Sequence, residues 1–171
     1  MDELEPHDLM QINAAEGWLG LGNPVEAHAE LDQIEPSSRS HPSVLKVRWT
    51  VFAHEKRWDA ALETASALVQ LEPENVFGWV HRSYALHELK RTKEALENLL
   101  PVVNVFFDEI IIRYNMACYE CVLGNIEHAR LRLAETFNLA LSQNCTEEWK
   151  TRMKSDPDLK PLWGYWDDAE M

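Results

Sequence analysis

Apolar residues return every three or four positions in four long stretches: LMQINAAEGWLGL from Leu9, VLKVRWTVFAHE from Val44, FGWVHRSYALHEL from Phe77 and IIRYNMACYECVL from Ile111. That spacing lays apolar side chains along one face of a 3.6-residue spiral, so each stretch predicts an amphipathic helix. A second, shorter amphipathic run follows each one. Two of these follow-on phrases nearly match, LGNPVEAHAEL at Leu21 and LGNIEHARLRL at Leu123. Their starts are 102 residues apart, which is three times 34, and the intervening chain keeps the same beat. Ala27, Ala61, Ala95 and Ala129 follow one another at intervals of 34, each four residues before Leu31, Ala65, Leu99 or Leu133. A period of this length marks a repeated supersecondary unit. The prediction is four helix-turn-helix units at about 8–39, 42–75, 76–107 and 110–141, with the small alanine letting each second helix approach the first closely.

Local signals agree with these bounds. Asn23 stands where it can cap a helix opened by Pro24, and Asp108 stands similarly before Ile110. Gly22 and Gly124 end the helices before them. Pro101 falls inside the second helix of the third unit, which predicts a kink near Leu100. The stretch EPSSRSHPS predicts an irregular connection between the first two units. After Leu141 the period stops. Asn144 or Thr146 is expected to cap a short helix through about Lys154. A proline-broken segment follows with Leu159, Leu162, Trp163 and Trp166, so that 144–166 covers the apolar face of the last unit. An aromatic peptide that docks elsewhere is the alternative for those tryptophans.

These units resemble tetratricopeptide repeats. The matching residues are Phe52, Trp58, Ala61 and Pro73 in the second unit, Trp79, Ala85 and Ala95 in the third, and Tyr114 to Ala129 in the fourth. Arg39 and Phe107 depart from the pattern, standing where the family usually places a proline between units. The resemblance implies an all-α fold, a right-handed superhelix of four helix pairs closed by a C-terminal capping helix, forming one domain over 1–171. Its first helices would line a hollow side, bringing together Ile12, Lys46, Thr50, Phe77, Val80, His81, Tyr84, Tyr114, Asn115 and Cys118 as a peptide-binding groove. The family's best-known groove clamps the acidic tails of heat-shock chaperones with Lys, Arg and Asn. Lys46 and Asn115 are of the right type, but Ile12, Glu16, Phe77 and His81 stand where donors are needed. The expected ligand is therefore an apolar or basic-flanked peptide of a partner protein.

Charge narrows the partners further. The 171 residues carry a formal charge of -13, with no Lys or Arg before Arg39. A surface so negative repels phosphate backbones and anionic lipid, so neither nucleic acid nor membrane is an expected partner. Three cysteines make no disulfide framework, and the acidic opening MDELEPHDLM is unlike a secretory leader, which points to the cytoplasm. Cys118 and Cys121 form a C-x-x-C pair, but three apart on one helix and without a second pair they read as buried thiols rather than a metal site. No phosphate-binding loop or nucleophile motif occurs. The expectation is a non-catalytic adaptor without cofactor or metal, a monomer or weak homodimer. The alternative is a homo-oligomeric spacer that self-associates through its ends or its capping segment.

Overall fold

The computed structural model describes residues 4–163, and those residues contain helices and turns without a strand. The helices are α1 (Pro6–Gly20), α2 (Pro24–Asp32), α3 (Pro42–His54), α4 (Trp58–Leu71), α5 (Val76–Glu88), α6 (Thr92–Leu99), α7 (Ile110–Val122), α8 (Ile126–Ser142) and α9 (Thr146–Ser155), followed by a 3₁₀ segment at Pro157–Leu162. The chain divides into two compact units, Met1–Ala85 and Leu86–Met171, with the boundary inside α5.

The fold is all-α, built from helices that pair with their successors. In the first unit α1 packs on α2 and α3 on α4; in the second, α7 packs on α8. Three of the alanines that set the beat, Ala27, Ala61 and Ala129, lie on the second helices of these pairs, and Ala95 lies on α6. Ala27, Ala61, Ala95 and Ala129 are each 0% exposed, so any larger side chain there meets a neighbouring helix. Among the described residues of the first unit the interior includes two clusters. One gathers Ile12, Ala15, Ala27, Leu31, Ile34, Val44, Val47 and Val51; the other gathers Trp49, Phe52, Ala61, Ala65 and Ala85.

Start and stop chemistry is visible at most boundaries. Pro6, Pro24 and Pro42 open α1, α2 and α3, where the missing N–H costs nothing. Asn23 caps α2 by accepting a hydrogen bond from the Glu26 amide at 3.3 Å. The first helix of each unit ends through a left-handed residue, and these residues keep the 34-residue beat: Gly22 (φ 73°), Lys56 (φ 54°), Lys90 (φ 64°) and Gly124 (φ 81°). Each such turn is closed by the next residue's amide, Asn23 to Trp18 O, Arg57 to Phe52 O, Arg91 to Leu86 O and Asn125 to Glu120 O, at 2.8–2.9 Å. This is the paired-carbonyl helix stop in which glycine is preferred, because it has no Cβ to crowd a positive φ. The connection after α2 is held by Arg39, whose guanidinium donates to the Ile34 and Asp32 carbonyls at 2.9 and 2.7 Å. Buried Asp8 ties that same connection to α1 by accepting from the Glu35 amide at 3.2 Å.

Three local expectations need correction. Pro101 does not kink its helix but follows its end: α6 stops at Leu99, and turns carry the chain onward with Val102 and Val103 buried. A residue without an N–H cannot continue the ladder, and here no later helical segment was worth rejoining. Asp108 does not cap α7; Glu109 precedes the helix without a side-chain cap, while the Asp108 carbonyl accepts from Gln143 at 2.7 Å. Neither Asn144 nor Thr146 caps α9. Asn144 is left-handed (φ 56°) and closes α8, Thr146 is the first residue of α9, and Cys145 precedes it without a side-chain cap.

Among the described residues, Met153, Leu159 and Leu162 anchor the C-terminal segment. Met153, Leu159 and Leu162 are buried, whereas Trp163 is exposed and Trp166 lies outside the described residues. The 3₁₀ segment packs chiefly on α7 rather than on α8. Together with α6 and α8 it encloses α7, which accounts for the burial of Ile112, Tyr114, Met116, Ala117 and Tyr119.

Candidate functional site

In the first unit, α1, α3 and α5 border an open cavity of about 320 Å³ lined by Glu16, Leu19, Lys46, Val47, Thr50 and Phe77. The helical spacing of α3 explains its share: Lys46 and Thr50 stand one turn apart on one face. Lys46 is already neutralised, its Nζ lying 2.8 Å from Glu72 Oε2, and the Thr50 hydroxyl donates to the Lys46 carbonyl at 3.2 Å. The acidic Glu16 is exposed beside them. The cavity therefore offers an apolar floor with one uncompensated negative charge.

Phe77 connects this cavity to a run of aromatic rings. His81 stacks on Phe77 with centroids 3.7 Å apart, and the Trp49 ring stands edge-on to His81 at 4.2 Å. Tyr84 follows at 6.4 Å from Trp49 and 5.6 Å from Trp58. Trp49 is buried, while Tyr84 is 39% exposed and presents the outer end of the run. His81 Nδ1 donates to the Phe77 carbonyl at 2.8 Å, one turn back. Burial pulls the His81 pKa below its ordinary 6.5, with that carbonyl opposing in part, so the ring is neutral at pH 7.

Of the ten residues the sequence grouped into a groove, Lys46, Thr50 and Phe77 line this cavity, and His81 and Tyr84 continue from it within the same unit. Ile12 and Val80 do not offer a surface. Ile12 is part of the core of the first helix pair, and Val80 is 8% exposed. Tyr114, Asn115 and Cys118 lie on α7 in the second unit, all buried.

Around α7 the chain supplies its own contacts. The Tyr114 hydroxyl donates to Asp156 Oδ2, and Cys118 Sγ lies 3.7 Å from the same oxygen. Asp158 Oδ2 is 3.0 Å from His87 Nε2, and His87 Nδ1 is 3.1 Å from the Thr92 hydroxyl oxygen. His87 also stacks on Tyr119 at 4.9 Å. Burial, then the nearby Cys118 and Asp156, raise the Tyr114 pKa; burial first and Asp156 and Asp158 next push both Cys118 and Cys121 up. Neither thiol is poised as a thiolate, which is the form that attacks or binds metal. Among the described residues, no group of three His, Cys, Asp or Glu side chains is placed to hold a metal ion. None of their helices is long and apolar enough to cross a membrane.

The sequence did not single out His87 as buried, nor which helix of the last unit the proline-broken segment covers; that helix is chiefly α7. Leu159 and Leu162, three apart and each two or fewer residues after a proline, carry that burial.

No protein-family model matches the chain, and no curated protein matches it. Among solved structures, it is similar to MamA, a TPR-like helical-repeat protein. A double mutant of MamA RS-1 superposes with a TM-score of 0.71 at 16% identity, covering 81% of this chain and 79% of that one. MamA from Desulfovibrio magneticus RS-1, residues 41 to its end, gives 0.70 at 14% identity over 93% of this chain and 98% of that one. MamA MSR-1 gives 0.67 at 15% identity over 78% and 76%. At such identities the likeness establishes a shared helical-repeat fold.

Proposed function

We propose that the protein is a non-catalytic interaction module whose first unit binds a peptide segment of a partner protein. The observation that carries this reading is the open cavity beside a run of aromatic rings, with its one lysine already paired to Glu72. A cavity of about 320 Å³ admits one or two apolar side chains, at the small end of ligand sites. Stacked aromatics supply contact area at little entropic cost. Residues 1–85 hold fourteen Asp and Glu against six Lys and Arg, and Glu16 stands at the rim. The fitting ligand has an apolar residue for the cavity and a flanking Lys or Arg for Glu16. The helical-repeat fold supports protein binding in general and does not choose the partner.

A peptide-display selection against the full chain tests this. Enrichment of apolar residues flanked by Lys or Arg is the expected result, abolished in a Glu16→Lys, Tyr84→Ala variant. Enrichment of acidic peptides on this face, or the same enrichment with both proteins, contradicts it.

A homo-oligomeric spacer is the second reading, favoured by the first helix pair, where Leu9, Met10, Leu21 and Val25 are 45–77% exposed. Sedimentation at micromolar concentration separates the two, since a monomer excludes the spacer.

A further inference from the structure

We infer that the second unit holds another peptide site, already filled by its own chain: Asp156–Leu162 is a ligand in cis, and the site takes acidic segments with an aspartate, a second aspartate two residues on, and leucine after it. This goes beyond the first-unit cavity and does not depend on it.

Repeat register gives the first argument. Tyr114 and Cys118 on α7 occupy the places that Lys46 and Thr50 occupy on α3, since 114 − 46 and 118 − 50 both equal 68, two periods of 34. On α3 that pair borders an open cavity; on α7 the same pair points both its donors at one carboxylate, Asp156. His87 on the last turn of α5 then receives the second carboxylate, Asp158, at 3.0 Å.

The segment itself is laid down as a bound peptide would be. Leu159 and Leu162 are 0% and 1% exposed, while Pro157, Lys160 and Pro161 face water. Anchors thus alternate with free positions. The two prolines fix φ and reduce the entropy lost on docking. Asp156 Oδ1 accepts from the Asp158 amide at 3.0 Å, so one carboxylate both shapes the segment and fastens it to α7. Tethering to α9 gives such a segment an effective concentration of order millimolar, enough to exclude a free peptide of modest affinity. A partner carrying the same acidic, leucine-containing segment gains access to Tyr114, Cys118 and His87 only when the tether's occupant lets go.

Cys118 reports that release, because its thiol lies under the segment; since loss of the two carboxylates also eases its ionisation, the decisive readout is the slowing by peptide added in trans, not the faster rate alone. The test labels the full chain with a maleimide under native conditions and locates the label by peptide mass mapping. Wild type is compared with an Asp156→Asn, Asp158→Asn variant, with and without a synthetic Lys154–Trp163 peptide added in trans. The expected result is Cys118 labelling at least tenfold faster in the variant, with helix content and melting temperature retained, and slowed again by millimolar wild-type peptide. Labelling that stays unchanged, that the added peptide does not slow, or that rises only because the variant loses its helices would overturn the inference, since the segment would then be core rather than ligand. Display against the first unit is read separately, so the two proposals fail independently.

Discussion

Gly78 sits in α5 against Leu68 and Val69 of α4, and adding one methyl group there has a calculable result. A Cβ built on Gly78 stands 2.9 Å from Val69 N, 3.0 Å from Val69 Cγ2 and 3.2 Å from the Leu68 carbonyl carbon. Two of the three atoms belong to the backbone of α4, which cannot give way without shifting a helix. Overpacking of this kind costs about 1–3 kcal/mol. Alanine's better helix propensity returns about 0.5–1 kcal/mol, so Gly78→Ala is expected to destabilise by up to about 2.5 kcal/mol and by about 1 kcal/mol at the middle of both ranges. Gly17 in α1 supplies the control. Nothing lies within 4 Å of its added Cβ, so Gly17→Ala gains the propensity without the clash and should stabilise. At about 2–4 °C per kcal/mol for a chain of this size, far-ultraviolet circular dichroism melts should move in opposite directions. If both variants melt higher, the close packing of α5 on α4 is not as described.

Other perturbations address the repeat geometry and the site. Lys90 carries a left-handed φ of 64° where its counterparts Gly22 and Gly124 have no Cβ, so Lys90→Gly should raise stability by about 0.5–1 kcal/mol in denaturant titrations, the relief of strain outweighing the added freedom of the unfolded chain. Ala95→Leu, at a position 0% exposed, should lower stability by about 1–3 kcal/mol; an unchanged melting temperature would show that α6 is not closely packed. His81 has a folded pKa below its ordinary 6.5, so it favours folding fully above that pH and progressively less as pH falls from 6.5 toward the folded value. His81→Gln should therefore flatten the stability profile on the acid side of pH 6.5, and a profile parallel to wild type contradicts the burial of that ring.

Periodicity made the helices legible because a small buried residue recurs at the same point of every 34-residue repeat. Ala27, Ala61, Ala95 and Ala129 announce it, and all four are buried. Single close approaches are not periodic, which is why Gly78 carried no signal: its counterparts in the other units are different residues, and only the local distance between α4 and α5 demands a glycine. The left-handed stops were half visible for a similar reason. Gly22 and Gly124 declare a positive φ by their chemistry, whereas Lys56 and Lys90 adopt it at the same point of the repeat without that signal. In the candidate site, the residue types on α3 and α5 were readable from helical spacing. What the sequence could not supply was competition: Glu72 claims the charge of Lys46, and Asp156 claims the donors of Tyr114 and Cys118. Both competitors come from other elements, and no spacing rule links them to the residues they occupy.

The most direct measurement is an amide nitrogen–proton NMR titration of the full chain with a peptide enriched by display. Shifts are expected to concentrate on Glu16, Lys46, Thr50, Phe77, His81 and Tyr84, with residues such as Leu131 and Phe107 unmoved. Shifts centred on those exposed second-unit residues, with the first-unit cavity silent, would contradict binding at that cavity.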